Sequence, residues 1–166
     1  MRDRYLAIDL GMTNIDIILE IDGEQKMIML SNRHQAVVDQ LRQALSEVAH
    51  QLDFDMIIGV TGGRYRDLPE VVDGFRIRKV DEMLALGLGG LALSQRDSGL
   101  VVSAGTGAAM VSARDGEVEH VTGSAVGGGT LLGLSKLILG TDNVAEIDQL
   151  ALSGDCLLYT SDAADE

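Results

Sequence analysis

Three glycine-punctuated segments and one acidic helix start hold the residues of this sequence best suited to chemistry. The first is Asp9-Leu10-Gly11-Met12-Thr13-Asn14, between two apolar stretches. A strand-to-strand turn of small residues exposes backbone N–H groups that can cradle phosphate oxygens. Asp9, at the strand end, could orient Mg²⁺ through water, because Mg²⁺ takes few protein carboxylates and keeps its hydration. A plain β-turn with a surface acid is the competing reading. The second segment, Ser103-Ala104-Gly105-Thr106-Gly107, repeats the device, and its permissive Gly105 and Gly107 let backbone approach a ligand closely. Two such turns at matching places in a repeated pattern could grip a triphosphate. The third segment, Thr122 to Thr130, reads TGSAVGGGT. Gly127, Gly128 and Gly129 cost backbone entropy on folding. They make sense before Thr130 if a helix N-terminus, with its free N–H groups and positive dipole end, faces an anion. A flexible loop before an apolar helix is the alternative.

The acidic helix start is Val80-Asp81-Glu82-Met83. A phosphotransferase acting on an alcohol uses a carboxylate to accept the hydroxyl proton. By residue type alone, Asp81 and Glu82 are equally well read as solvated acids favoured by the helix dipole. His34, His50 and His120 lack metal-ligand spacing. Met27, Met29 and Met83 read as core filler, and Arg64 to Arg66 as a solvated loop.

The elements that must position these residues follow from periodicity. Tyr5–Leu10 reads as a buried strand, and Ile15–Ile21 alternates as a second. Asp22-Gly23 is a hairpin turn leading to a third strand, Lys26–Leu30. Ser31 or Asn32 is expected to cap a helix bearing Val37, Leu41, Ala44, Leu45, Val48 and Leu52. A strand over Met56–Val60 ends at Thr61-Gly62-Gly63. Residues 64–74 read as polar and irregular, 75–80 as a strand, and Asp81–Ser94 as a helix loosened by Gly87, Gly89 and Gly90. The pattern then restarts: strands at Gly99–Ala104, Ala108–Ala113 and Glu117–Thr122, with an Asp115-Gly116 hairpin between the last two. A helix from Gly127 to near Gly140 follows, then another from about Asn143 to Leu152. A long-period repeat of strand, turn, strand, hairpin, strand, helix implies two lobes of similar topology with a cleft between them.

Composition narrows the partners. The 166 residues carry a net charge of −13, which argues against nucleic acid and anionic membrane. No apolar run reaches the roughly 18 residues of a membrane span. The N-terminal apolar stretch is short and contains Asp9, unlike a signal peptide, so a cytoplasmic location is expected. With no Trp, three Tyr and two Phe, the core must be aliphatic. The last eleven residues, CLLYTSDAADE, resemble the conceptual translation of a sequencing adapter. They are expected to be a non-native tail over 156–166 that packs against nothing, with the natural chain continuing past Asp155. The tail contains the only Cys, Cys156, so no disulfide framework or thiolate chemistry is expected.

The residues from about Leu6 to Asp155 resemble the acetate and sugar kinase, heat-shock chaperone and actin superfamily, and within it the type II pantothenate kinases. The resemblance rests on Val80-Asp81-Glu82, Thr61-Gly62-Gly63, Gly105-Thr106-Gly107, His120 to Gly140 (HVTGSAVGGGTLLGLSKLILG) and Ala151 to Asp155. It implies an α/β, actin-like (ribonuclease H-like) fold of duplicated lobes, each a mixed sheet with helices. The first lobe would cover 1–98, and an incomplete second lobe 99–155. It implies that Asp9, Gly11, Thr13 and Asn14 hold Mg-ATP, that Gly105–Gly107 and Gly127–Thr130 lie near the phosphates, and that Glu82 is the catalytic base. Thr122, Gly123 and His120 would face the acceptor, pantothenate, and the full-length protein would be a homodimer. The implied reaction is ATP-dependent phosphorylation of pantothenate, the entry step of coenzyme A synthesis, with lobe closure excluding water. The chain departs from the family at Met12, where a second Gly is usual, at Asp16, where a Lys is usual, and at His120, where a substrate-holding Arg is usual. Losing two cations weakens the hold on anionic groups. The alternatives are a kinase for another small alcohol, and an ATPase switch of the same superfamily without a small acceptor.

Overall fold

The computed structural model describes residues 4–32, 36–53 and 56–154; the expected tail, 156–166, lies outside them. The chain forms two compact units, Met1–Ser103 with Met110–Thr122, and Ala104–Ala109 with Gly123–Glu166.

The first unit is built on β1 (Arg4–Leu10), β2 (Asn14–Ile21) and β3 (Glu24–Ser31), antiparallel neighbours in a meander. Alternation decides which face is buried. Leu6, Ile8 and Leu10 of β1 and Ile15, Ile17 and Leu19 of β2 point to one side, each at most 3% exposed. Helix α1 (Val37–Val48) covers that side with Val37, Leu41, Ala44, Leu45 and Val48. Strand β4 (Ile57–Thr61) returns parallel to β1, adding Ile58 and Val60. The hairpin β5 (Val71–Val72) and β6 (Phe75–Lys79) completes a six-stranded mixed sheet in the order β3-β2-β1-β4-β6-β5.

Several local expectations need correction. Helix α1 starts after Ala36, which makes no side-chain cap; Ser31 closes β3, and Asn32 has a different task, described below. Residues 64–74 are not wholly irregular. They hold a 3₁₀ turn at Tyr65–Asp67 and the β5–β6 hairpin. Its Asp73 and Gly74 are both at positive φ, as are Asp22-Gly23 and Asp115-Gly116, the geometry of tight hairpins matched to strand twist. Met27 and Met29 are not core filler. They are 70% and 65% exposed, on the β3 positions opposite Ile18 and Asp16.

Helix α2 (Glu82–Ser94) follows β6, and β7 (Ser98–Ala104), β8 (Ala108–Arg114) and β9 (Glu117–Ser124) form a three-stranded sheet in sequence order. Connections of two and three residues permit only antiparallel pairing. Gly87 and Gly90 of α2 serve packing rather than loosening. A Cβ at Gly87 would lie 2.6 and 2.7 Å from the two Val118 methyls, and one at Gly90 would lie 2.6 and 2.7 Å from those of Val101. Spaced one turn apart, Gly87 and Gly90 let the helix backbone rest directly on β7 and β9. In the second unit, α3 (Gly128–Leu139) ends at Gly140 in the left-handed conformation. Helix α4 (Val144–Ser153) is capped by Asn143 Oδ1, which accepts from Ala145 N and Glu146 N. No helix among the described residues is long and apolar enough to cross a membrane.

The glycines of α2 divide into two kinds. Gly87→Ala should destabilise by about 1–3 kcal/mol, because both Val118 methyls face the new carbon and rotation cannot clear both. Gly89→Ala, with nothing within 4 Å of its Cβ position, should stabilise by about 1 kcal/mol through helix propensity. Thermal melts of the two variants against the parent check the opposite signs.

Candidate functional site

The first glycine turn lies where β1 hands over to β2. Gly11 is required by crowding: its Cβ would stand 2.8 Å from the Asn14 carbonyl oxygen. Asn32, one residue past β3, braces the turn from behind. Its Nδ2 donates to Gly11 O at 2.7 Å, and its backbone N donates to Thr13 O at 2.8 Å. A trans peptide points its C=O and its following N–H in opposite directions. Anchoring Gly11 O therefore turns the Met12 N–H away from Asn32, and Met12 is 68% exposed. Sequence reasoning missed Asn32 by treating it as a helix cap. The signal was the hairpin register, since pairing Asn14 with Ser31 sets Asn32 against Thr13.

Asp9, the penultimate residue of β1, lies beside this turn. It pairs across the ladder with Asp16 on β2 and with Thr61 on the parallel neighbour β4. After Thr61 the chain bends at Gly62, φ +100°, where a Cβ would lie 2.6 Å from Asp9 Oδ1 and 2.5 Å from Leu10 O. Only glycine leaves the carboxylate room there. The residue is accessible, yet its carboxyl group is partly desolvated by these walls. That desolvation, then the charge of Glu82, then that of Asp16, raises its pKa from the ordinary 3.8. Asp16 and Glu82 thus both act on the Asp9 charge, and Thr61 and Gly62 lie beside Asp9.

Asp81 and Glu82 have separate tasks. Asp81 caps α2: its Oδ1 accepts from Met83 N at 3.0 Å and Leu84 N at 3.3 Å. Its Oδ2 accepts from Tyr65 Oη at 3.1 Å and Arg66 Nη2 at 2.8 Å. The Leu84 N–H foremost, with Tyr65, Arg66 and Met83, holds the carboxyl below its usual value. Arg66 also donates to Tyr65 Oη and lies 5.2 Å from its ring centre, so Arg66 is an anchor for the α2 cap rather than part of a merely solvated loop. Asp81 is committed to structure. Glu82, the first residue of α2, is exposed and faces the Asp9 neighbourhood.

Asp9 suits a hydrated divalent cation. A cation would relieve the repulsion of Asp9 by Glu82 and Asp16, and the missing Cβ at Gly62 keeps the Asp9 oxygen open. No group of three or more His, Cys, Asp or Glu among the described residues could by itself hold a metal ion. Asp9 would therefore share the cation with water and phosphate oxygens.

The second unit holds the other turn. Gly128 N donates to Gly105 O at 2.8 Å, and Gly129 N donates to Thr106 O at 3.2 Å. A Cβ at Gly127 would lie 2.6–2.7 Å from three Gly107 backbone atoms, and one at Gly129 would lie 2.6 Å from Thr106 Cγ2. The triple glycine therefore lets the start of α3 rest on the backbone of the turn. This corrects the expectation of free donors at that helix end: the Gly128 and Gly129 N–H groups are engaged by the turn. The consequence is the same as at Asn32. With Gly105 O and Thr106 O held by α3, the Thr106 and Gly107 N–H groups are turned away from the helix. Thr130 Oγ1 donates to Ala125 O at 3.3 Å, closing the loop before α3. His120 and Thr122 lie exposed on β9 at the parity of Val118, and Gly123 follows on the same strand. No described hydrogen bond or ion pair joins these three to Glu82 or Asp9.

The raised Asp9 pKa has a testable sign. The folded protein keeps this proton to higher pH than the unfolded chain, so stability falls as pH rises from 3.8 through the raised folded value. The cost is full above that value and absent below 3.8. Asp9→Asn should therefore raise the melting temperature at about pH 7, with the difference vanishing by about pH 3.

The Fumble family model matches residues 94–159. The chain is 26% identical over 158 residues to a type II pantothenate kinase of Oceanobacillus iheyensis, covering 92% of this chain and 55% of that protein. Among solved structures it resembles component A of (R)-2-hydroxyglutaryl-CoA dehydratase from Acidaminococcus fermentans, with TM-score 0.62 and 19% identity over 92% of this chain and 60% of that one. It also resembles a ROK family glucokinase from Streptomyces griseus, solved with glucose and AMPPNP, with TM-score 0.51 and 13% identity over 75% of this chain and 49% of that one. The chain thus spans about half to three fifths of the length of these relatives. The fold is a mixed α/β, actin-like fold with a mixed sheet and a second, smaller sheet.

Proposed function

We propose that this chain belongs to a phosphotransferase that moves the γ-phosphoryl group of ATP to the primary hydroxyl of pantothenate. The observation that carries the reading is the placement of Glu82, free of the capping role that occupies Asp81, in the charge field of Asp9 beside a braced glycine turn. Glu82 accepts the hydroxyl proton as the oxygen attacks the γ-phosphorus and ADP departs. Asp9 would hold Mg²⁺ through water, and the ion when bound would neutralise phosphate charge. Gly11, Thr13 and Asn14 in the first turn, and Gly105, Thr106 and Gly107 in the second, supply backbone that phosphates can approach. Gly127, Gly128, Gly129 and Thr130 act behind the second turn as its support. Thr122, Gly123 and His120 are proposed to contact the acceptor. The lobe division at residue 99, a homodimer and a cytoplasmic location belong to the same reading. The similarity to a type II pantothenate kinase supports the choice of acceptor.

Gly105 offers a clean test of the second turn. Its Cβ position has nothing within 4 Å and its φ is not positive, so an added Cβ meets neither a clash nor backbone strain. In the full-length protein, Gly105→Val should melt like the parent and lose nucleotide binding, because the isopropyl group stands in the path of a close ligand. Unchanged nucleotide affinity removes the turn from the site.

The acceptor and the base are tested together by ADP release with and without pantothenate. The parent should show pantothenate-dependent turnover. Glu82→Gln should retain ATP affinity and lose about 10²–10⁴-fold in turnover. Dependence that survives the substitution within a few-fold rejects Glu82 as the base. No pantothenate dependence in the parent overturns the acceptor and favours an ATPase switch or a kinase for another small alcohol.

A further inference from the structure

We propose that Asn32 is a positioning residue for nucleotide phosphate: it fixes the Gly11–Met12 peptide so that the Met12 N–H points at a phosphate oxygen. The inference rests on the phosphate-binding reading of the first turn and goes beyond it by naming the donor and the group that aims it. One residue holds both shoulders of the turn, through Nδ2 to Gly11 O at 2.7 Å and its own N to Thr13 O at 2.8 Å. The second of these continues the β2–β3 ladder. The first is a long-range side-chain bond across 21 residues of sequence, and the ladder does not require it. Its effect is directional. The planar trans peptide leaves the Met12 N–H no choice but to oppose the anchored carbonyl.

The brace also accounts for a long side chain in the turn, that of Met12, directly after Gly11. A turn that is braced from behind needs less conformational freedom from its own residues, and Met12 is not at positive φ. Met12 as a whole is 68% exposed, so its side chain has room in solvent while the peptide N–H is turned to a ligand. The second unit reaches the same end by other means, since α3 holds the Gly105 and Thr106 carbonyls there. An amide side chain in one turn and a helix start in the other perform the same orienting task.

The test uses the full-length protein and three probes: MgATP, MgADP and adenosine. Asn32→Ala removes the side-chain anchor, and Asn32→Asp keeps its shape while losing the donor. A single lost hydrogen bond corresponds to roughly a 3–10-fold change in affinity. Asn32→Ala should therefore weaken MgATP and MgADP by about that factor, and Asn32→Asp by more, because its charge also repels phosphate. Adenosine, which has no phosphate, should bind both variants as it binds the parent. In turnover, KM for MgATP should rise while kcat and KM for the acceptor stay within about twofold. In the parent, the Met12 amide should gain hydrogen-exchange protection with MgADP and none with adenosine, a measurement that needs no variant. Equal losses for MgATP and adenosine would assign Asn32 a purely structural role and overturn the proposal. So would unchanged MgATP affinity, or a Met12 amide indifferent to MgADP. Failure of the parent itself to bind MgATP would instead reject the phosphate reading of the turn, and this inference with it.

Discussion

The planarity of the trans peptide is the constraint on which both glycine turns depend. A backbone N–H cannot be aimed directly, because it has no rotor of its own; it is aimed by capturing the carbonyl on the other side of the same peptide. In this chain each turn has its carbonyls captured from behind. Asn32 does it for Gly11 and Thr13, and the first N–H groups of α3 do it for Gly105 and Thr106. The many glycines make sense in this light. Gly127 and Gly129 are small because a helix start must touch a turn backbone. Gly11 is small because its turn is folded tightly on Asn14. Rigid presentation of donors is worth more to an anion than flexible donors, since little reorganisation remains to be done on binding.

Charge in the first unit is arranged against its own stability. Asp9 and Asp16 face each other across a ladder, an arrangement that costs free energy for like charges, and Glu82 adds a third negative charge. Burial first, then the charge of Glu82 and that of Asp16, raises the pKa of Asp9. A hydrated cation among these groups would turn the cost into affinity. Functional sites commonly violate local rules in this way, and the surrounding fold must supply the compensation. Much of it comes from the aliphatic layer between α1 and the sheet, where Ile15, Ile17, Leu41, Ala44, Val48, Ile58 and Val60 are fully buried.

The start of α2 shows how neighbouring acids acquire different roles. Asp81 is consumed by two backbone donors, a phenol and a guanidinium. The cap fixes the first turn of the helix, and Glu82 follows in a defined place. Further along, Gly87 and Gly90 seat the helix on β7 and β9. The position of Glu82 is thus set from both ends of the helix, by a polar network at one and by close backbone packing along the other.

Much of this was legible in the sequence. Alternation in Leu6, Ile8 and Leu10 and in Ile15, Ile17 and Leu19 determined strands and their buried face, because strand side chains have a period of two. The Asp-Gly pairs determined hairpins, because both residues must adopt positive φ; Asp73-Gly74 carried the same signal and was passed over amid polar neighbours. The location of the glycine turns and the start of α2 were local matters, and the sequence determined them too. Tertiary structure decided everything that depends on what lies across space from a residue. Asn32 looks like a helix cap in one dimension and is a turn brace in three, because β3 returns it to Gly11. Asp81 and Glu82 are alike in sequence and differ because Asp81 caps the helix through Met83 N and Leu84 N and is reached by Tyr65 and Arg66. The glycines of α2 and α3 look like flexibility until the methyl groups of Val118 and Val101 and the backbone of Gly107 are placed against them. Sequence specifies periodicity and backbone permission, which are properties of a residue and its near neighbours. Partnership between distant residues is fixed only when the chain has folded.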